Sequence, residues 1–438
     1  MILVMKKIYL LAFLLISIVG YGQLTVTEVG QLPEPVSNNP VCEGFVNGVP
    51  YIFSFGGIDN SKIYSGLHTR SFRYNIETGI SEAIPSLPDS RGKLGSAASR
   101  IDDKIYIMGG YYVAANGSEE TSDRVHIYDI ETNTFLADGS PIPIPTDDHV
   151  QLVYKDSLIY LITGWSDGVN IRDVQIYNPE EDTWSIGTNT PVVHPYRSFG
   201  ASGVILSDTI FYFGGATSLS GFGIQTYLRK GIIDPNNPTE ITWTVREPDE
   251  NVAVYRSAAT LVGTEMHWVG GSGDTYNFDG LAYNGSGGVS PTNRDLFTDD
   301  GLTWQSTIVD RLPMDLRGIA EISDTVKFLA GGMLDNQQVT DKVFRLEWSN
   351  RTSSTNNQDN KVLLSLYPNP CHTVTNIRIS QKEIGAVIVI SDIYGKTVIS
   401  LTLTAEITPI DLSELIDGIY TVTITSGDRK STALLSKI

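Results

Sequence analysis

Short apolar runs recur along the first three quarters of the chain, at residues 51–55, 104–108, 158–162, 209–213, 266–269 and 326–330. Runs of four or five mostly apolar residues bounded by glycine and polar turn residues read as buried β-strands, being too short for helices. Five of the six end on a glycine pair, at Gly56-Gly57, Gly109-Gly110, Gly214-Gly215, Gly270-Gly271 and Gly331-Gly332, and Thr163-Gly164 fills the one gap. Counted from first residue to first residue, the spacing is 51 to 61. Each pair leads into another strand and then an aromatic position. Tyr128 to Phe135 and Tyr177 to Trp184 keep the same interval, and Trp243 and Trp304 hold the later equivalents. Six units therefore fill residues 23–349, and the chain reads as all-β. The 41 Gly, 20 Pro and 21 Tyr, spread along its length, agree with many short strands and turns.

The pattern changes at residues 351–360, RTSSTNNQDN, where no apolar side chain is available to bury. Such a stretch reads as a solvated linker. Beyond it, short alternating strands are predicted at 375–379, 386–390, 397–401 and 420–425, with Gly395 and Gly418 at turns. A small immunoglobulin-like β-sandwich is the expectation. The division predicted is 1–22 signal peptide, 23–349 propeller, 350–361 linker and 362–438 C-terminal domain.

The repeat of strand, Gly-Gly, Tyr-bearing strand and Trp strand resembles kelch repeats. The resemblance implies one four-stranded propeller blade per unit, about 50 residues long. It is strongest for the second and third units and looser for the fourth and fifth, where 231–239 and 284–293 look inserted. The last unit lacks an outer strand, and residues 24–29 are expected to supply it, leaving no open blade edge. A six-bladed kelch-type β-propeller follows from this resemblance.

The tail resembles the C-terminal sorting domain of the type IX (Por) secretion system of Bacteroidetes-type bacteria. The matching residues are Tyr367-Pro368-Asn369-Pro370, the block 392–398 with Gly395 and Lys396, the block 411–415 followed by Gly418-Ile419-Tyr420, and the closing Lys437-Ile438. The resemblance implies passage across the outer membrane, the type IX secretion machinery as a partner, and a secreted or surface-attached destination. At the other end, Lys6 and Lys7 precede an apolar run over 8–19 and then Gly20-Tyr21-Gly22, the arrangement of a cleaved secretory signal. As a helix the run rises about 18 Å, against a hydrocarbon core of about 30 Å, so no integral span is expected in the mature chain.

Candidate chemistry gathers at the approach to each innermost strand. Arg91, His149, Arg197, Arg256 and Arg317 stand 14 to 18 residues before the glycine pairs, and Asn39 holds the corresponding stretch of the first unit. In kelch propellers this approach lies around one mouth of the central channel. Four guanidiniums and an imidazole there would suit a carboxylate, a sulfate or a hydroxyl-rich sugar; equally, each Arg would tie down loop carbonyls between blades. Glu43, Asp147, Asp148, Asp315 and Glu321 lie beside the same approaches.

The expected function is an exported propeller that binds a glycan or protein ligand at the channel mouth. The alternative is a sugar-acid epimerase or mutarotase of the sialic acid type, which six-bladed kelch proteins include. No catalytic position is matched to that family. No metal and no cofactor are expected: the six His and the sole propeller thiol Cys42 do not assemble the His, Tyr and Cys set of the kelch-bearing copper oxidases, and Ser286 stands where a calcium loop beginning at Thr275 needs Glu. A net charge of -19 argues against nucleic acid. Ser157, Thr209 and Thr325 sit in Asp-Ser/Thr-aliphatic tripeptides that resemble O-glycosylation sites of exported proteins in these bacteria, and also in predicted hairpin turns.

Overall fold

The computed structural model describes residues 23–247, 252–299, 301–349, 364–379, 383–392, 396–426 and 429–438. The predicted signal peptide, the linker and Gly395 lie outside the described residues. Six sheets of four principal strands follow one another around a channel. Their innermost strands begin at Pro40–Val46, Leu94–Ile101, Val150–Tyr154, Ser202–Leu206, Ala258–Val262 and Ala320–Glu321. Each of the first four contacts the innermost strand of the next blade, the fifth meets the sixth through Arg317–Gly318, and the sixth meets the first.

The ring is closed by the first strand of the described chain. Leu24–Gln31 pairs antiparallel with Lys342–Trp348, Leu24 opposite Trp348 and Gly30 opposite Val343, with a bulge between Glu28 and Gly30. The sixth blade thus takes its outer strand from one end of the propeller and its inner three from the other, so its edge is covered.

The glycine pairs mark where a second strand meets the neighbouring blade. Gly109 and Gly110 have φ of 65° and 92°, a region open to glycine at little cost. A Cβ at Gly109 would lie 2.1 Å from the Thr146 carbonyl oxygen, to which the Gly110 amide donates at 3.0 Å. Gly215 and Gly271 make the same bond to Val254 and Pro313. Aromatic rings fill the wedge between blades: Phe53 meets Tyr128 at 5.6 Å, Tyr106 meets Tyr177 at 6.0 Å, and Phe213 meets Trp304 at 4.3 Å. The segment 231–239 is no insertion; it is the hairpin of two long outer strands, Leu228–Asp234 and Asn237–Arg246.

Residues 364–438 form a separate pair of antiparallel sheets, of three and four strands, packed on one core that includes Cys371, Ile377, Ile388, Tyr420 and Leu435. Besides the four predicted strands the tail contains Leu364–Tyr367, Ile407–Asp411 and Arg429–Lys437. Asn369 pins the closing strand, donating to the Leu434 carbonyl and accepting from the Ser436 amide, both at 2.8 Å. The neighbouring Pro368 carbonyl accepts from Thr375 Oγ1, Pro370 is exposed, and Tyr420 donates its hydroxyl to Ile416. Lys396 donates its amide to Asp392, and Gly418 opens the strand Gly418–Ser426.

Candidate functional site

The chain enters each blade through one residue with a left-handed backbone: Asn38, Gly95, Asp148, Gly200, Arg256 and Asp315, with φ of 54°, 67°, 46°, 65°, 46° and 63°. Backbone bonds link them around the channel. Asp148 donates to Gly95, Gly200 to Asp148 and Arg256 to Gly200, each at 2.8 Å; Leu316 donates to Arg256 at 3.0 Å and Asn38 to Asp315 at 3.3 Å. The Gly95 amide closes the circle on Asn38 Oδ1 at 2.6 Å. Asn and Asp tolerate this conformation better than most residues, whereas a long side chain such as Arg pays a steric cost there.

At Arg256 that cost is offset by charge. Its Nη2 donates to Asp148 at 2.6 Å and its Nη1 to Asp315 at 3.0 Å, with all three side chains almost fully buried. Asp315 also accepts from Ser37 Oγ at 2.7 Å and Asn38 Nδ2 at 2.9 Å. Arg317 reaches from the sixth blade to the second and third, donating to the carbonyls of Gly95, Ser96 and His149, and stands 3.3 Å from Asp148. Two guanidiniums and two carboxylates therefore fill this level of the channel.

The expectation that the arginines converge as open donors is not what the geometry presents. Of the predicted set, Arg256 alone lines the cavity at the mouth; each of its two terminal nitrogens already donates to a carboxylate, and its buried Nε is unpartnered. Arg317 ties down loop carbonyls. His149 is buried with Nε2 3.1 Å from Gln151 Oε1; burial, with Arg317 beside it, holds its pKa down to about 3. Asn39 joins the first blade to the sixth, donating to Ser54 Oγ at 2.8 Å and the Ala330 carbonyl at 3.1 Å. Arg91 is half exposed, paired with Glu120 at 2.9 Å and stacked 4.0 Å over Tyr112. Arg197 is half-buried, with its Nε unpartnered.

Above the buried charges lies a cavity of about 100 Å³. Its walls are aromatic. Trp165 packs on Phe199 at 5.3 Å and on Phe222 at 5.7 Å, and Phe222 stacks on Tyr283 at 4.8 Å. Tyr111 completes the wall, and Glu119, Asp147, Asp148 and Arg256 supply polar atoms. Trp165 and Phe222 stand in or beside two-strand ribbons that follow Thr163-Gly164 and Gly214-Gly215. Tyr283 comes from the long loop of the fifth blade.

The two adjacent carboxyls are set apart by their surroundings. Burial opposes ionisation of Asp148, but Arg256 and Arg317 hold its pKa low. Burial and the neighbouring Asp148 push Asp147 well above the usual carboxylate range, and Thr121 Oγ1 donates to it at 3.0 Å. Their surroundings thus push the two pKa values apart, the arrangement that suits one group to act as an acid and the other as a base.

The KLHDC2/KLHL20/DRC7 Kelch-repeats domain family matches residues 23–215, and the Secretion system C-terminal sorting domain family matches 365–437. Among curated proteins, Kelch-like protein terF of Aspergillus terreus is 28% identical over 203 residues, 44% of this chain and 42% of that protein. Kelch-like protein 36 of Bos taurus is 23% identical over 171 residues, 39% of this chain and 26% of that protein. The match thus spans between a quarter and two fifths of those relatives' lengths. Among solved structures, YjhT aligns with a TM-score of 0.57 at 16% identity, covering 74% of this chain and 100% of that one. That likeness is one of fold. No helix among the described residues is long and apolar enough to cross a membrane. The sorting domain directs the chain through the type IX secretion machinery to a secreted or surface-attached location. The chain is a kelch-repeat β-propeller protein that carries a C-terminal secretion sorting domain.

Proposed function

We propose that residues 23–349 are an exported binding module that holds a glycan or protein ligand at the channel mouth, and that 350–361 and 362–438 are its linker and address. The observation that carries this reading is the cavity walled by Trp165, Phe199, Phe222 and Tyr283, with polar atoms at its base. Concave sites with aromatic walls and a few fixed polar groups are the usual form of ligand pockets. Arg91, His149, Arg197, Arg317 and Asn39 serve the site as its frame. A glycan array is the test, followed by titration of any hit. Trp165→Ala is expected to weaken binding by one to two decades, the scale of a central aromatic anchor. Binding indifferent to Trp165→Ala places the ligand elsewhere.

Epimerase or mutarotase activity on a sugar acid is the second reading, favoured by the acid and carboxylate pair of Asp147 and Asp148. NMR of sialic acid anomers tests it. Accelerated exchange that is lost in Asp147→Asn supports catalysis, and an exchange rate equal to the buffer's ends it.

A further inference from the structure

Resting on the reading of the mouth as a ligand site, we propose that the group it receives is an ammonium, carried by an amino sugar or by a lysine side chain. Both guanidiniums near the cavity are already answered: Arg256 by Asp148 and Asp315, Arg317 by Asp148 and three carbonyls. Each terminal nitrogen of Arg256 already donates to a buried carboxylate, so its charge is balanced within the protein although its Nε makes no hydrogen bond. Glu119 is exposed at the rim, lines the cavity, and has no ion-pair partner among the described residues. Asp147, buried at the base, accepts the Thr121 hydroxyl, and burial beside Asp148 favours its uncharged form. The unpaired charge at the cavity is therefore the Glu119 carboxylate.

The walls answer to the same chemistry. Trp165 stands 5.7 Å from Phe222, and Phe222 stands 4.8 Å from Tyr283, along the wall. The faces of aromatic rings carry negative potential and attract a cation placed over them, Trp most strongly. Aromatic rings on the sides and a carboxylate at the rim suit a desolvated cation better than an anion, which the carboxylate repels. The chain's net charge of -19 adds long-range attraction for cationic ligands.

The test uses the full secreted chain labelled with 15N-tryptophan, whose six Trp give six indole resonances; Trp165→Phe assigns the one at the mouth. Four probes are titrated: glucosamine, Nα-acetyl-lysine amide, N-acetylglucosamine and glucuronate. The expected result is a saturable shift of the Trp165 resonance with glucosamine or the lysine amide, weakened about tenfold or more in Glu119→Gln. Which of the two cations binds tighter identifies the source. A shift produced equally by N-acetylglucosamine or by glucuronate overturns the cation while leaving the mouth as a ligand site. Silence of the Trp165 resonance to all four overturns the inference too. An array ligand indifferent to Trp165→Ala removes the site itself.

Discussion

Arg256 combines a left-handed backbone with a guanidinium held between two buried carboxylates from different blades. Removing such a charge leaves its partners buried and unpaired, at a cost of about 3–5 kcal/mol. Arg256→Ala should lower the urea midpoint accordingly, whereas Arg91→Ala, half exposed beside Glu120, should change stability by less than about 1 kcal/mol. Equal effects would mean that the buried cluster does not hold the ring. A second buried pairing gives a pH dependence. His267 lies between Asp295 and Glu265 at 3.0 Å each, with Trp348 donating to Asp295. Burial opposes its protonation, but Asp295 and then Glu265 outweigh it and lift the pKa to about 9. Because this is above the ordinary value of about 6.5, the stabilisation is complete below that value and is lost as pH rises through about 9. Urea midpoints should fall between pH 7 and 10 in the parent and fall less in His267→Gln; parallel curves would exclude His267 as the source. At this scale the sequence was partly legible. The position of each arginine relative to its glycine pair was readable, but its partners were not, since Asp148 and Asp315 lie 108 and 59 residues from Arg256 and meet it only once the ring has formed.

Among the elements, the glycine pairs were readable because their cause repeats in five of the six blades: a positive φ and a carbonyl too close for a Cβ. The aromatic wall of the cavity was not. Its ribbons, Trp165–Ser166 with Val169–Asn170 and Ala216–Thr217 with Gly223–Ile224, are two residues per strand, too short to carry a period. A large aromatic directly after the second glycine, as at Tyr111 and Trp165, was the available signal. The closing strand was legible, since a blade one strand short implies a strand elsewhere. Deleting residues 23–30 removes the partner of Lys342–Trp348 and should lower the melting temperature by roughly 5–10 °C. An unchanged melting curve would show that the closure contributes no stability.

Across the whole molecule the tail rests against the propeller face opposite the candidate site. Tyr367 stacks on Phe45 at 5.0 Å, and Arg378 pairs with Glu77 and donates to the Gly48 carbonyl at 2.7 Å. Phe45 and Gly48 lie at the far end of the strand Pro40–Val46, whose near end adjoins the channel ring. The candidate site and the address therefore lie at different ends of the propeller. Truncation after Asn350 should leave a folded propeller with unchanged ligand binding, retained in the periplasm. Recovery of the truncated chain from the medium in normal amounts would mean that export does not depend on the tail.

The pairing of Leu24 with Trp348 also orders events in time. The first strand of the propeller to be synthesised is among the last to find its partner, because that partner lies at the end of the sixth blade. Contacts so distant along the chain form late, and until then two sheet edges stay open to wrong partners. The sorting domain follows Trp348 in the sequence. A prematurely ended chain that lacks the closing partner therefore also lacks the address, and a chain that carries the address already holds both strands needed to seal the ring. Placing the tail after the closure restricts export to chains that are able to finish folding.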